Sequence, residues 1–144
     1  MEINPRSYVP VYQQLADVLR EKIRAGELAP ETALPAEDKL AQQYRVSRPA
    51  VRQALGVLRA EALIVTQRGE GTKVRTQPQR REIKVGPETK VWFRQPTPAE
   101  RVDLRIDDGV GLVVVETEGE EPRLLPSDEV IITGKKTSRG SGSS

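Results

Sequence analysis

The sequence predicts an α+β protein in which three short helices and a hairpin come first and a small β module follows. Apolar residues recur at helical spacing in the first part of the chain, and short runs of β-branched residues between turn residues fill the second part. Charge divides the chain in the same way. Seven basic and two acidic residues lie between Arg45 and Arg75, whereas nine acidic residues and two arginines lie between Asp103 and Glu129. The basic half indicates a polyanionic partner, although charge runs are also typical of ordinary solvated faces.

The composition excludes several classes of protein. The 144 residues suffice for one ordinary domain or two small ones, and they include no cysteine and no histidine. Disulfides, thiolate nucleophiles, imidazole bases and zinc fingers are therefore excluded, and we predict no enzymatic activity, no cofactor and no metal. The longest apolar run, Leu112 to Val115, is far shorter than the roughly 20 residues of a membrane span. The N-terminus lacks a secretory pattern, which predicts a cytoplasmic protein without a membrane partner.

Two helices are predicted ahead of the basic run. An apolar stripe from Val11 to Ile23 indicates the first, and Gly26 lies where a helix-ending glycine is expected. The following residues, ELAPETALP, are predicted to form an irregular connection. A short second helix runs from Glu37 to Tyr44, and its start lacks an obvious capping side chain.

A third helix follows a tight turn, with Ser47 as its cap and Pro49 in its first turn. Helical spacing places Arg48, Arg52 and Arg59 toward solvent, opposite an apolar face. That inward face consists of Val51, Ala54, Leu55 and Leu58. The pattern is that of a helix-turn-helix whose recognition helix enters the major groove, where arginine pairs with guanine. An ordinary surface helix is the alternative interpretation.

A hairpin is predicted directly after the third helix. In LIVTQRGEGTKVR, two short apolar strands flank a turn that contains two glycines. A helix-turn-helix followed by a hairpin is a winged helix-turn-helix, in which the turn glycines allow close approach to DNA and Arg68 and Lys73 supply positive charge. A generic hairpin turn explains the glycines equally well.

Four segments in this order resemble the winged helix-turn-helix domain of the GntR family of bacterial transcriptional regulators. They are YQQLADVLREKIRAGEL, LPAEDKLAQQY, VSRPAVRQAL and GEGTKV, all between Val11 and Val74. The resemblance implies a regulator that binds operator DNA as a dimer. It also implies that a small-molecule effector is possible, but no residue of this sequence indicates one.

The resemblance further implies which residues contact double-stranded DNA: those of the recognition helix with its cap, and those of the wing. Together with the basic residues that flank them, the predicted DNA-binding residues are Arg45, Ser47, Arg48, Pro49, Ala50, Arg52, Arg68, Gly69 and Lys73. Two positions depart from the family pattern. Asp38 stands where many relatives have arginine and is expected to be mildly repulsive, and Ala50 stands where threonine or serine is frequent and is expected to shift base preference. Glu70 adds an acid at the wing tip.

Four regions are predicted along the chain: residues 1–75 as the winged helix-turn-helix domain, 76–82 as a linker, 83–133 as a small β-rich module, and 134–144 as a disordered tail rich in glycine and serine. The β-rich module is expected to be mostly antiparallel, with one short helix that begins with a capping box, TPAE.

The role of the β-rich module is predicted only in outline. It is expected to serve dimerisation or to be a reduced effector domain, because QPTPAERVDLRIDDGVGLVVVE faintly resembles the start of the effector domain in one GntR subgroup. So small a module leaves little room for a ligand pocket of roughly 300 Å³. Trp92 is predicted to pack in its core, and the alternative is that Trp92 and Phe93 pack against a second copy.

The sequence thus predicts a sequence-specific DNA-binding transcriptional regulator. We expect a repressor that binds a palindromic operator as a homodimer and is associated with the nucleoid. One alternative is a winged-helix adaptor that binds protein without operator specificity. The other is a small hydrolase that uses Asp107, Asp108 or Glu116 with a hard metal ion.

Overall fold

The computed structural model describes residues 2–136, which group into two compact units. The first unit contains the chain up to Gln77 together with residues 107–110, and the second contains residues 78–106 and the chain from Gly111 onward. Residues 137–144 of the predicted tail lie outside the described residues. Gly134, which we expected to begin that tail, is instead the last residue of a strand.

Three helices form the first unit, as the sequence predicts. They are α1 (Val11–Arg24), α2 (Glu37–Tyr44) and α3 (Arg48–Ala60). The start of α2 has no side-chain cap, and two acids in its first turn face the positive end of the helix dipole instead. Among residues 2–136, no helix is both long and apolar enough to cross a membrane.

The inward face predicted for α3 is confirmed. All four of its residues are buried and share one core with α1, with Leu40 of α2 and with two strand residues, Ile64 and Val74. Each fully buried aliphatic side chain of this size contributes about 1.5–3 kcal/mol relative to an exposed one. Burial on this scale fixes the rotation of α3 about its axis, and the opposite face of the helix therefore points outward.

The predicted hairpin consists of β1 (Ile64–Gln67) and β2 (Gly71–Val74), which pair antiparallel from Ile64 opposite Val74 to Gln67 opposite Gly71. Both turn glycines, at positions 69 and 71, have positive φ, which explains the preference for glycine here.

The connection that follows α1 is more regular than we predicted. Residues 31–34 run along β2, where the Glu31 and Leu34 amides donate to the carbonyls of Val74 and Thr72, and the Val74 amide donates to Thr32. The prediction of an irregular segment was wrong at this point, because its backbone hydrogen bonds go to a strand 40 residues away, which local patterns do not reveal.

The second unit is mostly antiparallel, as predicted, and has one short helix. Its elements are β3 (Arg81–Val85), β4 (Thr89–Arg94), α4 (Pro98–Asp103), β5 (Leu112–Thr117), β6 (Arg123–Pro126) and β7 (Val130–Gly134). Strands β4, β5 and β6 form an antiparallel sheet. The sequence did not reveal that β3 and β7 form a separate pair, or that this pair is parallel.

The aromatic residues of β4 do not lie in the core of this unit. Trp92 is 42% exposed and Phe93 is 59% exposed, so the prediction that Trp92 packs in the core was wrong. A buried cluster of this unit consists instead of Val115, Leu125 and Val130. The Phe93 ring lies over Gly111, where an added Cβ would come within 2.0 Å of a ring carbon.

A segment that we expected in the β-rich module, residues 107–110, belongs to the first unit. Asp107 Oδ2 lies 2.7 Å from Arg75 Nε, just after β2. At Gly109, where φ is +83°, an added Cβ would lie 2.5 Å from the Arg59 carbonyl oxygen and 2.7 Å from the Ala62 nitrogen. The chain therefore contacts the C-terminal end of α3 through a position that only glycine fits.

Candidate nucleic-acid interface

The N-terminal turn of α3 is built as the sequence predicts. The Ser47 hydroxyl accepts a hydrogen bond from the Ala50 amide at 3.3 Å, and Pro49 occupies a position in the first turn where no backbone donor is needed. Arg45, just before this turn, has a left-handed backbone (φ 55°) that ends α2 and redirects the chain. The side chains of Arg45, Ser47 and Pro49 are exposed, and Ala50 is half-buried.

Two arginines project from the exposed side of α3 near its start. The side chain of Arg48 is 58% exposed and that of Arg52 is 63% exposed. Both guanidinium groups contact acids of α2, which we did not predict. Arg48 Nε lies 2.8 Å from Asp38 Oδ1, and Arg52 Nε donates to Glu37 Oε2 at 2.9 Å.

These ion pairs do not lock the arginines away from a ligand. Asp38 is 66% exposed and Glu37 is 37% exposed, and ion pairs between exposed side chains are worth about 0–1 kcal/mol. A bidentate contact between arginine and guanine discriminates by about 1–3 kcal/mol. Both guanidinium groups can therefore turn toward a base edge at small energetic cost, whether or not the ion pair is kept. The sequence shows that two acids lie in the first turn of α2. Only the packing of α2 against α3 shows that these acids contact the two arginines.

Arg59, which we expected to point to solvent with the other two arginines, is half-buried. Its Nη2 donates to the Thr66 hydroxyl at 3.0 Å, so the side chain lies over β1. The helical spacing was interpreted correctly, but the hairpin packs against this end of α3 and covers the position.

The predicted DNA-binding residues of the wing, which is the hairpin of β1 and β2, fall into two groups. Arg68 and Gly69 are exposed at the turn between β1 and β2, and Glu70 is exposed beside them. Lys73 lies on β2 with its Nζ 2.6 Å from Glu31 Oε2. This contact raises the pKa of Lys73, and the ammonium together with the Thr76 hydroxyl lowers the pKa of Glu31. The charge of Lys73 is thus compensated within the protein.

The second unit contains an open cleft of about 480 Å³, lined mostly by acids that lie just before β4, in β5 and in the turn that follows β5. Its size exceeds what we expected of so small a module. The lining residues are Glu88, Lys90, Glu116, Thr117, Glu118, Gly119 and Glu120. Within residues 2–136, no group of three or more acidic side chains is arranged to hold a metal ion.

Three helices followed by a two-stranded hairpin define a winged helix-turn-helix protein. The third of these helices is capped and presents arginines. Residues 11–74 match the family described as "Bacterial regulatory proteins, gntR family". This part of the chain is a GntR-family winged helix-turn-helix domain, as the resemblance implied.

Two curated relatives are similar to the same part of the chain. The HTH-type transcriptional repressor NagR of Bacillus subtilis is 43% identical over 74 residues, which cover 51% of this chain and 30% of that protein. The mannosyl-D-glycerate transport/metabolism system repressor MngR of Escherichia coli is 46% identical over 66 residues, which cover 46% of this chain and 28% of that protein. The matches thus span less than a third of either relative.

A longer stretch is similar to a solved structure. The crystal structure of a transcriptional antiterminator from Listeria monocytogenes matches 73% of this chain and 68% of its own chain, with a TM-score of 0.52 and 21% identity. At that identity the likeness concerns the fold alone.

Proposed function

We propose that this protein is a sequence-specific DNA-binding transcriptional regulator that represses by occupying its operator. In this proposal, a homodimer places two recognition helices in half-sites of a palindromic operator about one helical turn apart. Such a regulator acts in the cytoplasm, associated with the nucleoid. No cofactor, metal ion or enzymatic step is part of the proposal.

The observation that carries the proposal is the pair of exposed arginines at the start of a helix whose other face is buried. Arg48 and Arg52 lie one turn apart on α3, and the cap at Ser47 satisfies one of the free amides at the end that would enter the groove. A helix held in this way presents both guanidinium groups to base edges, and Arg68 at the wing turn can reach backbone phosphates.

The repressor assignment is supported by the names of the two curated relatives, both of which are repressors. The dimer is supported by the symmetry of operators that winged and helix-turn-helix proteins read as paired half-sites. Trp92 and Phe93 are exposed on opposite faces of β4, and either side chain offers an apolar contact between copies.

Binding to DNA is tested by selection from a random pool of duplexes with the purified chain, followed by titration of the selected site. Replacing Arg48 or Arg52 with alanine should weaken operator binding by roughly 1–3 kcal/mol each and relax base choice at one position of each half-site. Arg24→Ala, which removes an exposed arginine in the last turn of α1, is the control and should change binding little. A double variant of Arg48 and Arg52 that binds as tightly as the parent would contradict the proposed readout.

The salt dependence of the affinity distinguishes a DNA-binding regulator from a protein-binding adaptor, and the molecular mass in solution tests the dimer. Neutralised phosphates make the logarithm of the affinity fall steeply with the logarithm of the salt concentration, whereas an adaptor that binds protein has a shallow dependence. Sedimentation that finds only monomers, both free and with DNA, would exclude the dimer but not the DNA-binding surface.

A further inference from the structure

Asp38 contacts one of the two arginines on the exposed face of α3. This face is therefore not a simple row of positive charges. Its Oδ1 lies 2.8 Å from Arg48 Nε, and both side chains are more than half exposed. The carboxylate stands in the first turn of α2, where the helix dipole stabilises it without any contact to DNA. A duplex that approaches this face of α3 therefore meets the carboxylate together with Arg48.

We propose that Asp38 is a specificity-determining residue, which acts through Arg48 to weaken binding to DNA that lacks the operator sequence. The inference rests on the proposed function, because it concerns how the same surface chooses among duplexes.

The geometry of the guanidinium group explains why the carboxylate does not compete with a base. Arginine has five N–H donors in a planar fork, and the contact with Asp38 is made through Nε. The edge formed by the two Nη atoms can donate to O6 and N7 of guanine at the same time. A carboxylate on Nε restricts the rotation of the fork and leaves that edge available, so that less conformational freedom is lost when guanine binds.

Binding to DNA without the operator sequence depends on different contacts. There the protein gains affinity from charges that neutralise phosphates and release counterions, with little contribution from base edges. A carboxylate beside Arg48 cancels part of the charge that Arg48 offers to those phosphates. Asp38 is thus expected to lower non-operator binding more than operator binding, which increases the ratio of the two affinities.

The test is a titration of the full chain with the selected operator and with a scrambled duplex of equal length, at several salt concentrations. Asp38→Asn should tighten binding to the scrambled duplex about three- to tenfold and operator binding by less, and should steepen the salt dependence for the scrambled duplex by up to about one phosphate contact. Asp38→Glu keeps the carboxylate and should retain most of the discrimination. Glu27→Gln changes the net charge equally at an exposed site between α1 and α2, and should leave the affinity ratio unchanged.

A double-variant cycle decides whether Asp38 acts through Arg48. In the Arg48→Ala background, Asp38→Asn should no longer change the affinity ratio, whereas a diffuse charge effect would persist there. An unchanged ratio for Asp38→Asn, or an equal change in both backgrounds, overturns the inference. If Asp38→Asn lowers the thermal midpoint, Asp38→Ser, which also suits the first turn of a helix, supplies the same comparison.

These outcomes remain distinct from a failure of the proposed function. A parent chain that selects an operator with steep salt dependence supports that function, whatever Asp38 does. A parent chain that binds no duplex overturns both.

Discussion

Glu100, in the first turn of α4, contacts two partners within the second unit. Its two oxygens each lie 2.7 Å from an Nη atom of Arg94, and Oε1 also accepts from the Thr97 amide, which completes the capping box of α4. The guanidinium of Arg94, followed by the Thr97 amide, lowers the pKa of Glu100 from its usual 4.5 to about 2. The carboxylate is therefore ionised in the folded unit at pH values where it is protonated in the unfolded chain.

The depressed pKa predicts how the stability of this unit depends on pH. Since the unfolded state binds the proton first, the contribution of Glu100 is fully present above pH 4.5 and is lost as the pH falls toward about 2. Glu100→Gln should remove this contribution and flatten the dependence in that window. Denaturant unfolding followed by the fluorescence of Trp92, the only tryptophan of the chain, measures it.

Glu120→Gln is the matched control for this measurement, because it removes an exposed carboxylate of the same unit outside the Arg94 contact. The control should keep the parental dependence on pH. Parallel curves for the parent and Glu100→Gln between pH 4.5 and 2 would show that the Arg94 contact does not stabilise the unit.

At the scale of elements, Arg20 joins α1 to the end of α3. Its Nε and Nη2 donate to the two carboxylate oxygens of Glu61, at 2.7 and 2.6 Å, and its Nη1 donates to Asp17 at 2.6 Å. Glu61 is the C-terminal cap of α3, and the Arg20 side chain is only 15% exposed. The two carboxylates raise the pKa of Arg20, and all three nitrogens of its guanidinium group donate to acids within the protein, so its charge has a structural role.

Removal of this contact should destabilise the first unit without changing the base preference of the proposed DNA contact. Arg20→Met keeps the apolar stem and loses the charged hydrogen bonds, and we expect a loss of roughly 1–2 kcal/mol, since both carboxylates are partly exposed. Thermal unfolding followed by helical circular dichroism measures the change. Arg24→Met, on the same helix, is the control and should cost only a few tenths of a kcal/mol. Equal midpoints for the two variants would contradict the structural role of Arg20.

At the scale of the whole chain, the return of residues 107–110 to the first unit makes that unit discontinuous in sequence. Gly109 is the position on which this return depends, because it combines a positive φ with backbone atoms of Arg59 and Ala62 close to where a Cβ would stand. Gly26 has nearly the same φ, at the end of α1, with nothing within 4 Å of a Cβ. Alanine substitutions at Gly109 and Gly26, compared with each other, therefore separate the effect of backbone strain from the effect of steric overlap.

Gly109→Ala should destabilise the first unit by roughly 1–3 kcal/mol more than Gly26→Ala, because both variants carry the left-handed strain and only one forces the segment off α3. Hydrogen exchange should show faster opening of the Ala62 and Leu63 amides, which close the end of α3 by bonds to Arg59 and Leu58. Similar losses of stability for both variants would mean that the segment moves aside easily.

The sequence by itself determined the local elements of this protein. The stripe of α1, the Ser47 cap, the inward face of α3, the glycine turn of the wing and the capping box at Thr97 are all encoded within one or two turns of chain, where side-chain spacing and backbone preference act directly. The candidate recognition residues on α3 could be named for the same reason.

Only the tertiary structure decided what these elements touch. The pairing of Asp38 with Arg48, the burial of Arg59 against β1, the hydrogen bonds of residues 31–34 to β2 and the parallel pair of β3 with β7 each join segments that are distant in sequence or lie on different elements. Such contacts depend on how buried faces pack together and on where unpaired backbone groups find partners, and periodicity within a segment does not contain that information.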